Sequence, residues 1–180
     1  MMKKKEIFTL SNFLSFIRIF LVIPIFFYLA EDNRVMALIY ILIAVSTDIL
    51  DGYFARKFNQ ITDLGKVLDP LADKFCTIGG LIALSLYQDF PWFLTSIIIL
   101  KDILIILGSI FLISKRHVVI SSNVPGKITV FLIAITVIVY LLNIEYLYFV
   151  LVLAVSVMLV YSGISYLKIF SRYYLVKNEG

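Results

Sequence analysis

The 180-residue chain is short of the parts from which soluble enzymes commonly build active sites. It has one cysteine, Cys76, which excludes an internal disulfide. Its one histidine, His117, lies among basic residues, so a histidine-based metal site or a Ser-His-Asp triad lacks support. Charge is scarce too: 16% of residues are Asp, Glu, Lys or Arg and 62% are apolar, where soluble domains have about 25% and about 45–50%. That balance excludes an ordinary soluble globular domain. Linker composition, low-complexity tracts and a convincing internal repeat are also missing from the sequence. Cys76 itself is expected to be a small apolar filler.

What the chain has is apolar runs. A membrane helix needs roughly 20 such residues, so the length allows about six or seven spans joined by short loops. The runs and loop signals predict six helices, over 12–30, 34–56, 66–87, 91–113, 124–142 and 145–170. Pro91 and Pro125 fall in first turns, where proline is tolerated, and Ser121, Ser122 and Asn123 offer N-caps for the fifth helix. Pro24 lies inside an apolar run and is expected to kink the first helix. The expected fold is all-α: one polytopic membrane domain over residues 1–180 with six transmembrane helices.

The charges orient it. Alternate loops place Lys3, Lys4, Lys5, Arg56, Lys57, Lys66, Lys115, Arg116, Lys127, Lys168, Arg172 and Lys177 on one face. The other has Arg34 with Glu31, Asp32, Asp89 and Glu145. By the positive-inside rule both termini are cytoplasmic, and the net charge of +4 reflects topology rather than nucleic-acid binding. The basic start resembles a signal peptide, but Arg18 interrupts the apolar run and the stretch is long enough to span, so a retained helix is expected.

Four acids stand out at the facing ends of the second and third helices. Asp48 and Asp51 are three apart and Asp69 and Asp73 four apart, so each pair shares a helical face. The short 57–65 connection makes the two helices antiparallel neighbours, which brings all four carboxylates to one point near the cytoplasmic edge. Four clustered carboxylates need protonation or counter-charge. Two hard divalent cations such as Mg²⁺ or Mn²⁺, which take oxygen ligands, would neutralise them. Gly52, one turn after Asp48, can give a ligand room against the backbone; Gly65 is either a helix or a turn residue. Pro70 is expected in the first turn or at a bend.

Here the sequence resembles the CDP-alcohol phosphatidyltransferase family, whose signature is Asp-x-x-Asp-Gly-x-x-Ala-Arg, eight residues, then Gly-x-x-x-Asp-x-x-x-Asp. Asp48, Asp51, Gly52, Ala55, Arg56, Gly65, Asp69 and Asp73 fill every fixed position. The resemblance implies an integral membrane enzyme, usually a homodimer in the lipid bilayer, that moves the phosphatidyl group of CDP-diacylglycerol to an alcohol and releases CMP. It implies that Asp48, Asp51, Asp69 and Asp73 hold two divalent cations, with Asp73 a ligand or the catalytic base. It further implies that Asp48, Gly52, Ala55, Arg56 and Gly65 form the CDP site.

The acceptor is read from weaker similarities. Thr9, Asn12 and Arg18, the Leu68–Lys74 segment and Gly126-Lys127 are similar to the glycerol 3-phosphate-using branch. That branch would have Arg18, Arg116 and Lys127 bind the acceptor phosphate. Lys101-Asp102 is closer to the phosphatidylglycerol-using, cardiolipin-synthase-like branch, and inositol phosphate is a third option. Adjacent residues on a helix point about 100° apart, so Lys101 and Asp102 are each expected to need a partner on another helix. A carboxylate-lined cation transporter is the rival of another class, but its polar groups should run through the membrane depth instead of gathering at one edge. The expected location is a bacterial inner membrane, with the site facing the cytoplasm.

Overall fold

The computed structural model describes residues 10–57, 63–116 and 124–175; within these, the side chains of 10–11, 52–57, 63–67, 70, 109–110, 112–116 and 172–175 are not described. The described residues form helices and the short turns that join them, without strands. The helices are α1 (Leu10–Ala30), α2 (Arg34–Lys57), α3 (Asp63–Tyr87), α4 (Trp92–Arg116), α5 (Val124–Leu141) and α6 (Tyr148–Leu175), with a 3₁₀ turn, Glu145–Leu147, before α6. All six predicted helices are present. Among the described residues, three segments are long and apolar enough to cross a membrane: Asn12–Ala30, Val124–Leu141 and Glu145–Ser171.

The chain divides into two compact units, residues 1–90 and 91–180. In the first, α1 packs against both α2 and α3, which touch each other only slightly. The expected direct pairing of α2 with α3 is therefore corrected: α1 joins them. Its buried face carries Asn12, Ser15, Arg18, Ile25 and Leu29 at helical spacing, polar in the first half and apolar in the second. Phe13, Phe16, Phe20, Ile23 and Phe27 point outward.

Small residues let these helices approach closely. Ala37, Ala44 and Thr47 line the buried face of α2, and Ala72, Cys76 and Ala83 that of α3. At Gly79 the approach is close: a Cβ there would meet Val22 Cγ1 at 2.7 Å. Cys76 is a free thiol in this packing, 9% exposed, as the filler role requires.

The turns between helices use Asp and Asn in left-handed backbone, the non-glycine residues that tolerate it best. Asp32 has φ 54° and Asn143 φ 56°. At each, paired backbone bonds close the preceding helix in a Schellman pattern, Asn33 N–H to the Tyr28 carbonyl at 2.8 Å and Ile144 N–H to that of Val139 at 3.1 Å. Buried Gln88 fastens this end of the first unit, donating through Nε2 to the Leu29 carbonyl at 3.2 Å and to Asp32 Oδ1 at 3.0 Å. That side-chain hydrogen bond, followed by the one from Arg34, holds the Asp32 carboxyl below its usual value.

In the second unit α6 packs on α5 and on α4. Buried Thr129 and Thr136 donate back to the carbonyls of Pro125 and Leu132, both at 2.8 Å, so a close-packed helix face carries no unpaired hydroxyl at these positions. Pro125 sits in the first turn of α5, and Pro91 precedes α4, its carbonyl accepting from Leu94 and Thr95.

Candidate active site

Three of the four acids predicted from spacing, Asp48, Asp51 and Asp69, are linked through α1 at the end of the first unit opposite Gln88. Arg18 is buried, 2% exposed. One of its terminal nitrogens pairs with Asp51 Oδ2; the other lies 2.8 Å from Asp48 Oδ1. Both acids belong to α2. One turn earlier, the Ser15 hydroxyl donates to Asp69 Oδ1 on α3 at 2.5 Å and lies 3.3 Å from Asp51 Oδ2. A serine has one proton to donate. With Arg18 satisfying Asp51, that proton is best placed on Asp69. Asp73, one turn beyond Asp69, is half-buried.

The helix geometry explains why these residues coincide. Thr47 and Asp51 are four apart on the buried face of α2, so Asp51 points at α1 and is buried, while Asp48 sits toward the edge with its side chain 52% exposed. The close contact at Gly79 draws α3 against α1, and this brings Asp69 within reach of Ser15. Ser15 is the functional candidate that spacing arguments passed over. Its signal was available: Asn12, Ser15 and Arg18 repeat every three residues as the polar stripe of a helix that is otherwise apolar.

The remaining predicted residues divide. Gly52, Ala55 and Arg56 lie on the last turns of α2 and Gly65 in the first turn of α3, but their side-chain surroundings, like those of Arg116 and Pro70, fall outside the described residues. The helix runs through position 70 without interruption. Lys127 is exposed in the first turn of α5. Arg18, expected at the acceptor phosphate, has its guanidinium engaged by the α2 acids. His117 and Ser121–Asn123 also lie outside the described residues.

Asp48 and Asp51 converge on Arg18, and Asp51 and Asp69 on Ser15. Among the described residues no group of three acids, histidines or cysteines is arranged as a metal-holding set. The donor set nevertheless fits hard divalent cations in chemistry. Its ligands are carboxylate oxygens, and one guanidinium cannot balance three carboxylates, which leaves negative charge for a cation to meet.

Lys101 and Asp102 behave differently from expectation. Lys101 Nζ reaches Asp102 Oδ1 at 3.5 Å, with side chains 12% and 8% exposed. The lysine stem is long enough to bend across the 100° between neighbouring positions, so the two charges do meet on one helix.

A family model described as CDP-alcohol phosphatidyltransferase matches residues 8–162. The chain is 35% identical over 136 residues to the Aquifex aeolicus protein named CDP-diacylglycerol--glycerol-3-phosphate 3-phosphatidyltransferase, covering 74% of this chain and 76% of that one. A Mycoplasma genitalium protein of the same name is 33% identical over 144 residues, 69% of this chain and 59% of its own length. A Schizosaccharomyces pombe protein, named cardiolipin synthase (CMP-forming) / mitochondrial hydrolase fusion protein, is 41% identical over 104 residues, 57% of this chain and 17% of its own length.

Proposed function

This chain belongs to the CDP-alcohol phosphatidyltransferase family, a family of enzymes, and we propose that it transfers the phosphatidyl group of CDP-diacylglycerol to glycerol 3-phosphate, releasing CMP in phospholipid synthesis. The observation that carries this reading is the convergence of three signature acids from two helices, Asp48 and Asp51 of α2 and Asp69 of α3, on Ser15 and Arg18 of α1. The name of the A. aeolicus relative, matched over three quarters of its length, supports glycerol 3-phosphate as acceptor.

In this reading the six helices all span a bacterial inner membrane, with both termini and the acid cluster on the cytoplasmic side, and the chain works as a homodimer. The family match crosses both compact units, which supports a single domain. Charges within α2 and α3 are then helix-end and site residues, a cost that membrane proteins accept where the charges are used, and the mid-helix charges of α4, Lys101 and Asp102, pair with each other.

Asp48, Asp51, Asp69 and Asp73 would hold two divalent cations, Mg²⁺ or Mn²⁺, which supply charge neutralisation at the phosphate oxygens. Arg18 fixes the α2 acids from behind. Gly52, Ala55, Arg56 and Gly65, with Asp48, line the CDP site, and Lys127 and Arg116 are the cations left for the acceptor phosphate. Asp73 takes the proton from the acceptor hydroxyl. The alcohol oxygen attacks the β-phosphorus, the bond from that phosphorus to the bridging oxygen breaks, and the bridging oxygen leaves with CMP. Nothing in the sequence suggests a side-chain nucleophile, so the displacement is direct, and its rate rests on positioning and charge.

The test is an acceptor panel. The purified full chain in lipid nanodiscs with CDP-diacylglycerol and Mn²⁺ should release CMP with glycerol 3-phosphate and not with phosphatidylglycerol, inositol phosphate or serine. Release with phosphatidylglycerol alone would move the chain to the cardiolipin-forming reaction; release with no acceptor of the panel would remove the proposal.

A further inference from the structure

We propose that Ser15 is a positioning residue that sets the separation of the α2 and α3 carboxylates and thereby the fit of the cation site. The inference rests on the reading of those carboxylates as cation ligands. In the first unit α2 and α3 touch each other little and each leans on α1, so the spacing of Asp51 from Asp69 is passed through α1. Arg18 reaches Asp48 and Asp51, both on α2. Ser15 reaches across to α3 as well. Its hydroxyl is within hydrogen-bond range of Asp51 Oδ2 at 3.3 Å and Asp69 Oδ1 at 2.5 Å, so those two oxygens are no farther apart than the two distances together.

The hydroxyl is also well protected. Ser15 is 0% exposed, on the face of α1 that holds both neighbours. A group that hydrogen-bonds to a metal-ligating carboxylate fixes its orientation, and losing such a group typically weakens metal binding about 10- to 100-fold. An alanine here would leave Asp69 without its donor from α1 and would let the α3 acid drift relative to the α2 acid. Arg18 would still hold the α2 pair. The expected defect is therefore in cation binding more than in CDP-diacylglycerol binding.

The experiment measures Mn²⁺ binding to the full-length protein in detergent micelles by the loss of the free-ion EPR signal, for wild type, Ser15→Ala, Ser15→Thr and Ser15→Val. Threonine keeps the hydroxyl and valine keeps threonine's shape without it, so the pair isolates the hydrogen bond even where alanine disturbs folding. We expect Ser15→Ala and Ser15→Val to bind Mn²⁺ about 10- to 100-fold more weakly and Ser15→Thr to stay close to wild type. The Mn²⁺ concentration for half-maximal CMP release should rise in parallel, with the KM for CDP-diacylglycerol at saturating Mn²⁺ little changed. Valine binding as tightly as threonine would overturn the role of Ser15 and leave the cation site standing. A folded wild-type protein that binds no Mn²⁺ would overturn the cation reading itself, and the proposal with it.

Discussion

Arg18 on α1 and Asp51 on α2 form a buried ion pair across 33 positions of sequence. The arginine side chain is 2% exposed and the aspartate 5%. Neither charge would be stable there alone, since removing one partner of a buried pair typically costs about 3–5 kcal/mol. The pair thus sets the register of α1 on α2 and at the same time puts a fixed positive charge behind the acids.

Replacing that charge tests its role. Arg18→Gln should lower stability by about 3–5 kcal/mol in EDTA, because Asp51 remains buried without its counter-ion. Mg²⁺ should restore more stability to the variant than it adds to wild type, since a cation that binds the folded state supplies the missing charge. Melting temperatures of both proteins with and without Mg²⁺ give the comparison. Equal Mg²⁺ shifts in the two would remove Arg18 as the acids' counter-charge.

Two adjacent glycines make a matched pair for the packing that delivers Asp69. A Cβ at Gly79 would lie 2.7 Å from Val22 Cγ1, whereas at Gly80 it would meet nothing within 4 Å. Valine is stiff at χ1, so relief at Gly79 has to come from the helices. Gly79→Ala should therefore destabilise by about 1–3 kcal/mol, and Gly80→Ala should be neutral or stabilise by up to about 1 kcal/mol through helix propensity. Thermal melts of the two variants decide it, and a Gly79→Ala protein as stable as Gly80→Ala would show that α1 and α3 are not closely packed there.

The sequence made the helices legible because apolar runs and turn residues are local signals: 34–56 was expected for Arg34–Lys57 and 124–142 for Val124–Leu141. The candidate acids were proposed from an equally local signal, residues three or four apart sharing a helix face; of the four, Asp48, Asp51 and Asp69 are joined through Ser15 and Arg18. Which helix packs against which is not a local property. Spacing within α2 and α3 could not reveal that α1 stands at their junction, nor that Ser15 supplies the hydroxyl between their carboxylates. Lys101 and Asp102 show a related limit, because face geometry fixes where Cβ atoms point but not how far a four-carbon side chain can bend back.

The opposite end of the first unit has its own pH signature. Gln88, and after it Arg34, hold the Asp32 carboxyl below the usual value of 3.8. A lowered value means the interaction is present in full above 3.8 and fades as pH falls through the folded-state value. Asp32→Asn keeps a residue suited to φ 54° but removes the titration. The acid limb of a stability-versus-pH curve should flatten slightly in the variant, with the difference in slope confined to pH below about 3.8, where wild type loses the interaction; a difference in slope centred near neutrality would contradict the assignment.

The central claim is that the carboxylates gathered by α1 perform the transfer. CMP release from CDP-diacylglycerol and glycerol 3-phosphate, measured for the full-length protein in nanodiscs beside folded Asp51→Asn and Asp69→Asn variants, tests it most directly. The account predicts turnover that requires both the acceptor and Mg²⁺ or Mn²⁺ and that is abolished in each variant. Turnover at the wild-type rate in either one, or CMP release indifferent to the acceptor, would contradict it.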